Sequence, residues 1–322
     1  MEDYPRTIME FESRFAGEEA CIEYLIALRW PEGFLCPACQ TTAAWRTARG
    51  LFHCKECGLQ TSVTAGTVFQ DTRKPLHVWF RAMWYVTNQK HGVSALGLQR
   101  ALGLGSYRTA WVWLHKLRHA MVRPARDRLE GTMEVDETYI GGEKPGKRGR
   151  GAMGKTLVLI AAQEDGDRIG RIRLQRIPNA SSDSLGKAVQ ACVEPGSVIR
   201  TDGWSGYNLL PELGYLHHVV REDAHIGENL LPLVNRVASL LKRWLLGTHQ
   251  GAVRASHLDY YLDEFTFRFN RRRSRSRGKL FYRLLQQAVA VDPLPGHRIT
   301  PVRILKTQDM VYKCIALIKN CS

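Results

Sequence analysis

The sequence predicts an α/β protein in which a small cysteine-rich module and a helical region precede a larger mixed domain. Three observations indicate this order. Four cysteines form two Cys-x2-Cys pairs between Cys36 and Cys57. Residues 75–121 carry apolar side chains at helical spacing, and residues 133–270 alternate between β-favouring and amphipathic helical stretches. A chain of 322 residues has room for two or three domains with a sizeable core.

The composition narrows the class of partner. A net charge of +15 and a pI near 9.6 point to a polyanion, with nucleic acid first. The N-terminus is polar, and the longest strongly apolar run, around residues 157–162, is too short to cross a bilayer. We therefore expect a soluble cytoplasmic protein with no membrane partner. Its eight cysteines are expected to bind metal or remain free thiols rather than form disulfides.

The first unit, residues 1–31, is predicted to contain one amphipathic helix over residues 8–30, because Phe11, Phe15 and Leu25 recur at roughly helical spacing. The second unit, residues 32–70, contains both cysteine pairs with fourteen residues between them. This spacing is typical of one tetrahedral Zn²⁺ held by four thiolates, as in a zinc ribbon. Such a closed site leaves no position for substrate, so the predicted zinc is structural. Four unrelated buried cysteines are the alternative. The predicted ligands are Cys36, Cys39, Cys54 and Cys57.

Residues 71–128 are predicted to be a helical, helix-turn-helix-like DNA-binding region. A short helix ends near Leu102, residues 103–106 form a turn, and residues 107–121 form a longer helix with several cations. An ordinary helical hairpin is the alternative. His115 and His119 lie one turn apart, and we expect them to face solvent or phosphate rather than a metal.

Residues 133–142 are predicted to form a β-strand that carries acids in its middle. Alternation places Asp136 and Thr138, with Glu134, on one face, and Glu137 on the other with Val135. Burying a bare carboxylate is costly, so a divalent metal would stabilise this arrangement. A strand with a solvated acidic face is the alternative.

The next segment, residues 142–155, is rich in glycine and cations. Residues 149–156 match the G-x4-G-K-T phosphate-binding pattern, but a strand follows where that pattern requires a helix. We therefore reject ATP binding and expect the loop to contact a DNA backbone, with a merely solvated loop as the alternative. The predicted contacts are Lys147, Arg148, Arg150 and Lys155.

The remaining elements are a hairpin to residue 176, a helix over residues 181–193, a strand that ends at Asp202, and two helices. The first of these two helices starts at Pro232, and Asn235, Ser239 and Lys242 project from one side of it. A surface Asn and Lys on an amphipathic helix is the alternative. The second helix, residues 256–270, runs into a basic stretch that suits phosphate contacts. Its first three residues are Arg271, Arg272 and Arg273.

Three motifs together resemble the DDE-type transposases of bacterial insertion sequences. They are Val-Asp136-Glu-Thr-Tyr-Ile-Gly-Gly, Arg-Thr-Asp202-Gly-Trp-Ser-Gly-Tyr, and Asn235-Arg-Val-Ala-Ser-Leu-Leu-Lys242-Arg. The sequence is most similar to the group with an N-terminal zinc ribbon and, in many members, Asn as the third active-site residue. The resemblance runs from about residue 4 to 291. It implies a ribonuclease-H-like catalytic domain over residues 129–291, followed by a tail, residues 292–322, with no assigned role.

The resemblance also implies the chemistry. Asp136, Asp202 and Asn235 would hold two Mg²⁺ (or Mn²⁺) ions for cleavage of the element's 3′ ends and strand transfer into target DNA, with Lys242 contacting DNA beside them. Glu228 is a rival third ligand. The implied partner is double-stranded DNA, as terminal repeats and as target, bound by a homodimer or higher oligomer at the bacterial nucleoid. A non-catalytic zinc-ribbon regulator, a degenerate transposase and a metal-dependent nuclease without strand transfer are the alternatives.

Overall fold

The computed structural model describes residues 2–122, 126–141, 155–220, 230–251 and 253–299. Within these ranges the chain forms a small three-stranded sheet, a helical body, and a five-stranded sheet with helices on both faces. Of the helices in these ranges, none has the length and apolar character needed to cross a membrane.

The N-terminal segment contains two helices, α1 (Ile8–Arg14) and α2 (Glu18–Arg29), so the prediction of one helix over residues 8–30 is wrong. The break falls between Phe15 and Gly17. Phe15 leaves the helical conformation as the C-cap of α1, and Gly17 is extended as the N-cap of α2. The apolar spacing was misleading because Phe15 is buried from the cap position rather than from a helix interior.

The cysteine module is a three-stranded antiparallel sheet of β1 (Ala44–Arg46), β2 (Phe52–Cys54) and β3 (Gln60–Thr61). Its core is small. The rings of Phe34 and Phe52 stack with centroids 4.8 Å apart, beside two of the cysteines. So little buried apolar surface stabilises a fold weakly without another contribution.

Three helices of the helical body follow: α3 (Leu76–Asn88), α4 (Ala95–Leu102) and α5 (Tyr107–Ala120). The α4–α5 pair has the predicted glycine-bearing turn, because Gly103 ends α4 in the left-handed region at φ 61°. However, His115 is fully buried, so its predicted exposure to solvent or phosphate is wrong.

The second half of α5 packs into the protein through its polar side chains as well. Arg118 is only 2% exposed and donates to the Glu264 carboxylate at 2.7 Å. The ring of His115 packs against Trp111 and does not reach the surface. Burial of these groups requires partners from a later helix, and local sequence could not indicate those partners. Among the cationic side chains of α5, only Arg108, in the first turn, is exposed.

The large sheet has the strand order β6-β5-β4-β7-β8, with α6 between β6 and β7 in the chain. Strands β4, β5 and β6 pair antiparallel, whereas β7 pairs parallel with both β4 and β8. The hairpin, the helix and the strand before Asp202 were predicted, whereas β8 is a short edge strand that was not. The bounds are β4 (Thr132–Ile140), β5 (Thr156–Asp165), β6 (Arg168–Ile177), α6 (Ser182–Cys192), β7 (Val198–Thr201) and β8 (Leu216–Val219).

The two faces of this sheet bury different halves of the alternating strands. On one face, Val135 and Leu159 pack with Leu185 of α6. On the other face, α7 (Pro232–His249) and α8 (Leu258–Asn270) cover residues that include Val158 and Ile160. The central strand β4 is therefore covered on both faces, so its polar side chains must find partners within the protein.

The chain then returns to the helical body. Helix α9 (Arg277–Ala290) places Phe281 and Leu284 in the same core as Phe11, and α10 (Gly296–Ile299) follows. Residues 277–291 thus pack with the N-terminal helices, although the sequence assigned them to the catalytic domain.

Candidate active site

The four predicted cysteine ligands are brought together. All four Sγ atoms lie within 4.8 Å of one another, with Cys36–Cys57 at 3.6 Å and Cys39–Cys54 at 3.5 Å. A tetrahedral site with Zn–S bonds of about 2.3 Å has sulfur atoms about 3.8 Å apart, so the geometry fits zinc. Backbone N–H groups, that of Cys39 foremost, lower the pKa of Cys36 to about 6, which favours the thiolate that binds metal.

A second site lies between β4 and α7. A cavity of about 370 Å³ is lined by Asp136 and Thr138 from the strand and by Asn235, Ser239 and Lys242 from the helix. Glu137 also lines this cavity. The predicted strand alternation is confirmed by other contacts, because Glu134 contacts α7 whereas Val135 packs with α6. The predicted common side of the helix is confirmed by the shared lining. Asp136, Asn235 and Lys242 therefore meet around one cavity, although they are far apart in the chain.

Asp202 follows the last residue of β7 and does not line that cavity. The parallel register of β4 with β7 pairs Glu134 with Arg200, which lie two residues before Asp136 and Asp202 respectively. The charges of both acids raise the pKa of the buried Tyr207, so both lie near its hydroxyl. Each carboxylate is oriented by a backbone N–H. Glu137 donates to Asp136 Oδ1 at 2.7 Å, and Trp204 donates to Asp202 Oδ1 at 3.0 Å. Local hydrogen bonds thus orient one acid on β4 and the other directly after β7.

Glu137, which sequence reasoning left unassigned, accepts a hydrogen bond on the opposite face of β4. The hydroxyl of Tyr207 donates to its Oε2 at 2.8 Å. Tyr207 is fully buried, and burial, followed by the charges of Glu137, Asp136 and Asp202, raises its pKa well above the usual value. The protonated tyrosine therefore ties β4 to the segment after Asp202. The paired occurrence of Glu137 and Tyr207 in two of the motifs was the available signal.

Glu134 is a positioning residue that sequence reasoning missed. Its side chain is buried, and Oε2 accepts the N–H groups of Leu233 at 2.7 Å and Val234 at 2.9 Å in the first turn of α7. Burial raises the pKa of Glu134, and those two N–H groups oppose the shift. A carboxylate at a helix N-terminus is favourable, so Glu134 attaches the helix of Asn235 to the strand of Asp136. The signal was a helix that starts at Pro232 without a capping side chain of its own.

The predicted DNA-contacting loop is described only at its end. Lys147, Arg148 and Arg150 lie outside the described residues, as does the rival ligand Glu228. Lys155 is half-buried and directly precedes β5, whose first residue pairs with the last residue of β4.

The basic run after α8 packs against the β5–β6 hairpin. The guanidinium groups of Arg271 and Arg272 lie 4.1 Å and 4.0 Å from the rings of Phe267 and Phe269. Arg273 pairs with Asp165 at 2.7 Å. Arg272 and Arg273 remain exposed, so their predicted phosphate contacts stay a prediction.

The mixed sheet carries one acid on β4, facing α7, and another directly after β7. A four-cysteine ribbon precedes this sheet, and the chain is strongly basic. Together these features are typical of a protein that processes nucleic acid. Residues 128–270 match the model of the ISXO2-like transposase domain, and residues 16–60 match that of the transposase zinc-ribbon domain. Over these two segments the chain therefore matches an insertion-sequence transposase domain preceded by a transposase zinc ribbon, as its motifs predicted. The first match ends with α8, which agrees with the packing of α9 in the helical body.

The sequence is also similar to an uncharacterized protein in transposable element ISH50 of Halobacterium salinarum. The two chains are 26% identical over 280 residues, which cover 79% of this chain and 91% of the relative.

Proposed function

We propose that the protein binds the ends of its insertion sequence and catalyses metal-dependent cleavage of the 3′ ends and strand transfer into target DNA. One observation carries this proposal: Asp136, Asn235 and Lys242 line a single cavity, and Asp202 directly follows the strand that pairs with the strand of Asp136. A protein that only bound DNA would have no use for two oriented carboxylates, an amide and a lysine at one place.

The sheet supports a ribonuclease-H-like assignment for the catalytic domain. In chain order, three antiparallel strands are followed by two parallel ones, and the first strand of this sheet, β4, lies at its centre. This topology places Asp136 on the central strand and Asp202 at the end of the adjacent one.

The donor set fits a hard divalent cation, because carboxylate and amide oxygens are the ligands that Mg²⁺ and Mn²⁺ prefer. We assign such ions to Asp136, Asp202 and Asn235. When bound, they would supply an activated water or 3′-hydroxyl and stabilise charge on the leaving oxygen.

The protein's own residues provide orientation and charge balance. Asp136 and Asp202 contribute two negative charges, and the neutral amide of Asn235 contributes none, so we expect weak metal binding until a DNA phosphate adds negative charge. Lys242, in the same cavity, is placed to hold that phosphate as a point charge.

The wider DNA contacts are part of the same proposal. Terminal repeats and target DNA would bind as double strands, at the nucleoid, to a homodimer or higher oligomer. Lys147, Arg148, Arg150 and Lys155 would contact the backbone from the loop after β4, and the run Arg271, Arg272 and Arg273 would do so after α8. The zinc ribbon would support these contacts structurally.

The test is an end-cleavage assay on labelled duplexes that carry the element's ends. Asn235→Ala should abolish cleavage, whereas Glu228→Gln and the exposed control Asn208→Ala should leave it intact. The reverse pattern for Asn235 and Glu228 would overturn the assignment of the third ligand. Cleavage without strand-transfer products would identify a nuclease. DNA binding without cleavage by the wild-type protein would identify a regulator or a degenerate transposase.

A further inference from the structure

A larger cavity, of about 650 Å³, lies between the sheet domain and the helical body. Its walls come from β6, α8 and α9, and from the segment that joins α5 to β4. Of its described lining residues, five are arginines and only Asp127 is acidic. We call this site the arginine cleft and define it by Arg126, Arg171, Arg173, Arg271 and Arg283.

Arg173 is the unusual member of the cleft. Its side chain is only 6% exposed, and it donates to the backbone carbonyl oxygens of Ile172 and Asp127. No carboxylate among the described residues lies within salt-bridge distance of it. Burial, followed by the charges of Arg126 and Arg171, lowers its pKa to about 10. Burying a cation without a salt-bridge partner is costly, and a phosphate group in the cleft would supply the missing negative charge.

Two other arginines of the cleft have carboxylate partners. Arg171 lies 3.9 Å from Asp127, and Arg283 pairs with Glu2. Among the described lining residues, one carboxylate, that of Asp127, accompanies five guanidinium groups, so the lining carries a surplus of positive charge. A guanidinium presents a rigid fork of N–H donors that matches two oxygens of a phosphate.

We propose that the arginine cleft binds a segment of DNA backbone, with phosphate groups against Arg171, Arg173 and Arg283. The proposal rests on the proposed function and adds a second DNA contact, separate from the acid cavity. DNA is the ligand that fits, because the cleft is strongly cationic and its lining comes from both β6 and α9. A backbone bound there would contact the catalytic domain and the helical body at once.

The test is fluorescence anisotropy with a labelled duplex and the full-length protein at several salt concentrations. Arg171→Gln combined with Arg283→Gln removes one cation from each wall, and both side chains are partly exposed, so the fold should persist. We expect weaker binding and a salt slope reduced by about two, one for each lost phosphate contact. Arg176→Gln is the matched control. It lies on the same strand with similar exposure but pairs with Asp259 at 2.8 Å outside the cleft, and should leave the slope unchanged.

An unchanged slope in the double variant, or an equal loss in Arg176→Gln, would overturn the cleft proposal while leaving the proposed function intact. An unchanged slope in the double variant is also the result expected if the cleft binds an acidic protein segment instead of DNA. Asp136→Asn should bind DNA with the wild-type slope but not cleave it. Failure of the wild-type protein itself to bind DNA would overturn the proposed function along with the cleft, a distinct result.

Discussion

The zinc ribbon and the acid site hold their ligands in opposite ways. In the ribbon, two short turns supply all four sulfur atoms, and the surrounding core consists of little more than Phe34 and its neighbours. In the acid site, the proposed oxygen ligands come from a strand, the residue after another strand and a helix, each set on an extensive apolar core.

The difference lies in what orients the ligands. The acid site is assembled by hydrogen bonds within the protein: Glu137 N–H to Asp136, Trp204 N–H to Asp202, and Glu134 to the first turn of α7. The ribbon has backbone N–H groups near its sulfurs but few packing contacts. Metal loss should therefore unfold the ribbon and only inactivate the acid site.

The largest expected effect comes from breaking the ribbon. Cys39→Ser, or chelation, should remove about 10 kcal/mol of metal-linked folding free energy and unfold the sheet β1–β3 with its cysteine turns, while the five-stranded sheet stays folded. Native mass spectrometry would count the zinc, and hydrogen exchange would locate the unfolding. Cys21→Ala is the control, because Cys21 is buried in the core of the helical body and is not one of the four clustered cysteines. A zinc-free protein with a protected ribbon would contradict the comparison.

The next effect tests whether buried pairs, rather than metal, stabilise the rest of the chain. Glu264 is 1% exposed and pairs with Arg118 and Arg268, each at 2.7 Å. Glu264→Gln leaves these cations without their counter-charge and should lower the free energy of unfolding by about 3–5 kcal/mol. Urea unfolding at neutral pH is the measurement, and Asp259→Asn in the exposed pair with Arg176 is the control.

The Glu264 carboxylate should also make the free energy of unfolding sensitive to acid. Burial alone would raise the pKa of Glu264, but Arg268 and Arg118 lower it to about 2. Because the folded value is below the unfolded one, the stabilisation is present above about pH 4.5 and is lost as the pH falls toward 2. The wild-type protein should lose more stability across this window than Glu264→Gln does. Parallel pH profiles for the two proteins would contradict the assignment.

A smaller effect should follow loss of the attachment between β4 and α7. Glu134→Ala leaves the N–H groups of Leu233 and Val234 without their buried acceptor, at a cost of about 1–3 kcal/mol. Because α7 carries Asn235, we expect cleavage to slow with little change in DNA affinity. Glu134→Gln retains an acceptor oxygen and should restore most of the activity. If Glu134→Ala cleaves as fast as the wild type, the helix is oriented by packing alone.

The smallest effect on stability is expected at Arg273. Its pair with Asp165 is half-exposed, so Arg273→Gln should change the free energy of unfolding by less than about 1 kcal/mol. Its DNA-binding salt slope should nevertheless fall by about one if the exposed run contacts phosphate. A thermal melt and a salt titration on the same sample measure the two effects.

The sequence by itself determined the features that depend on local spacing. The two cysteine pairs predicted the sulfur cluster, strand alternation predicted that Asp136 and Thr138 share a face, and helical periodicity placed Asn235 and Lys242 on one side. The motifs were also sufficient to predict the family. Each of these depends on residues within one element, where backbone geometry sets the direction of a side chain.

Only the tertiary structure decided the features that join distant elements. It paired Glu137 with Tyr207, attached Glu134 to α7, and buried Arg118 against Glu264. It also split the first helix, added β8 and returned α9 to the helical body, which completed the arginine cleft. The physical reason is shared: a charged or polar group can be buried only when another element supplies its partner, and periodicity within one segment carries no record of which element that is.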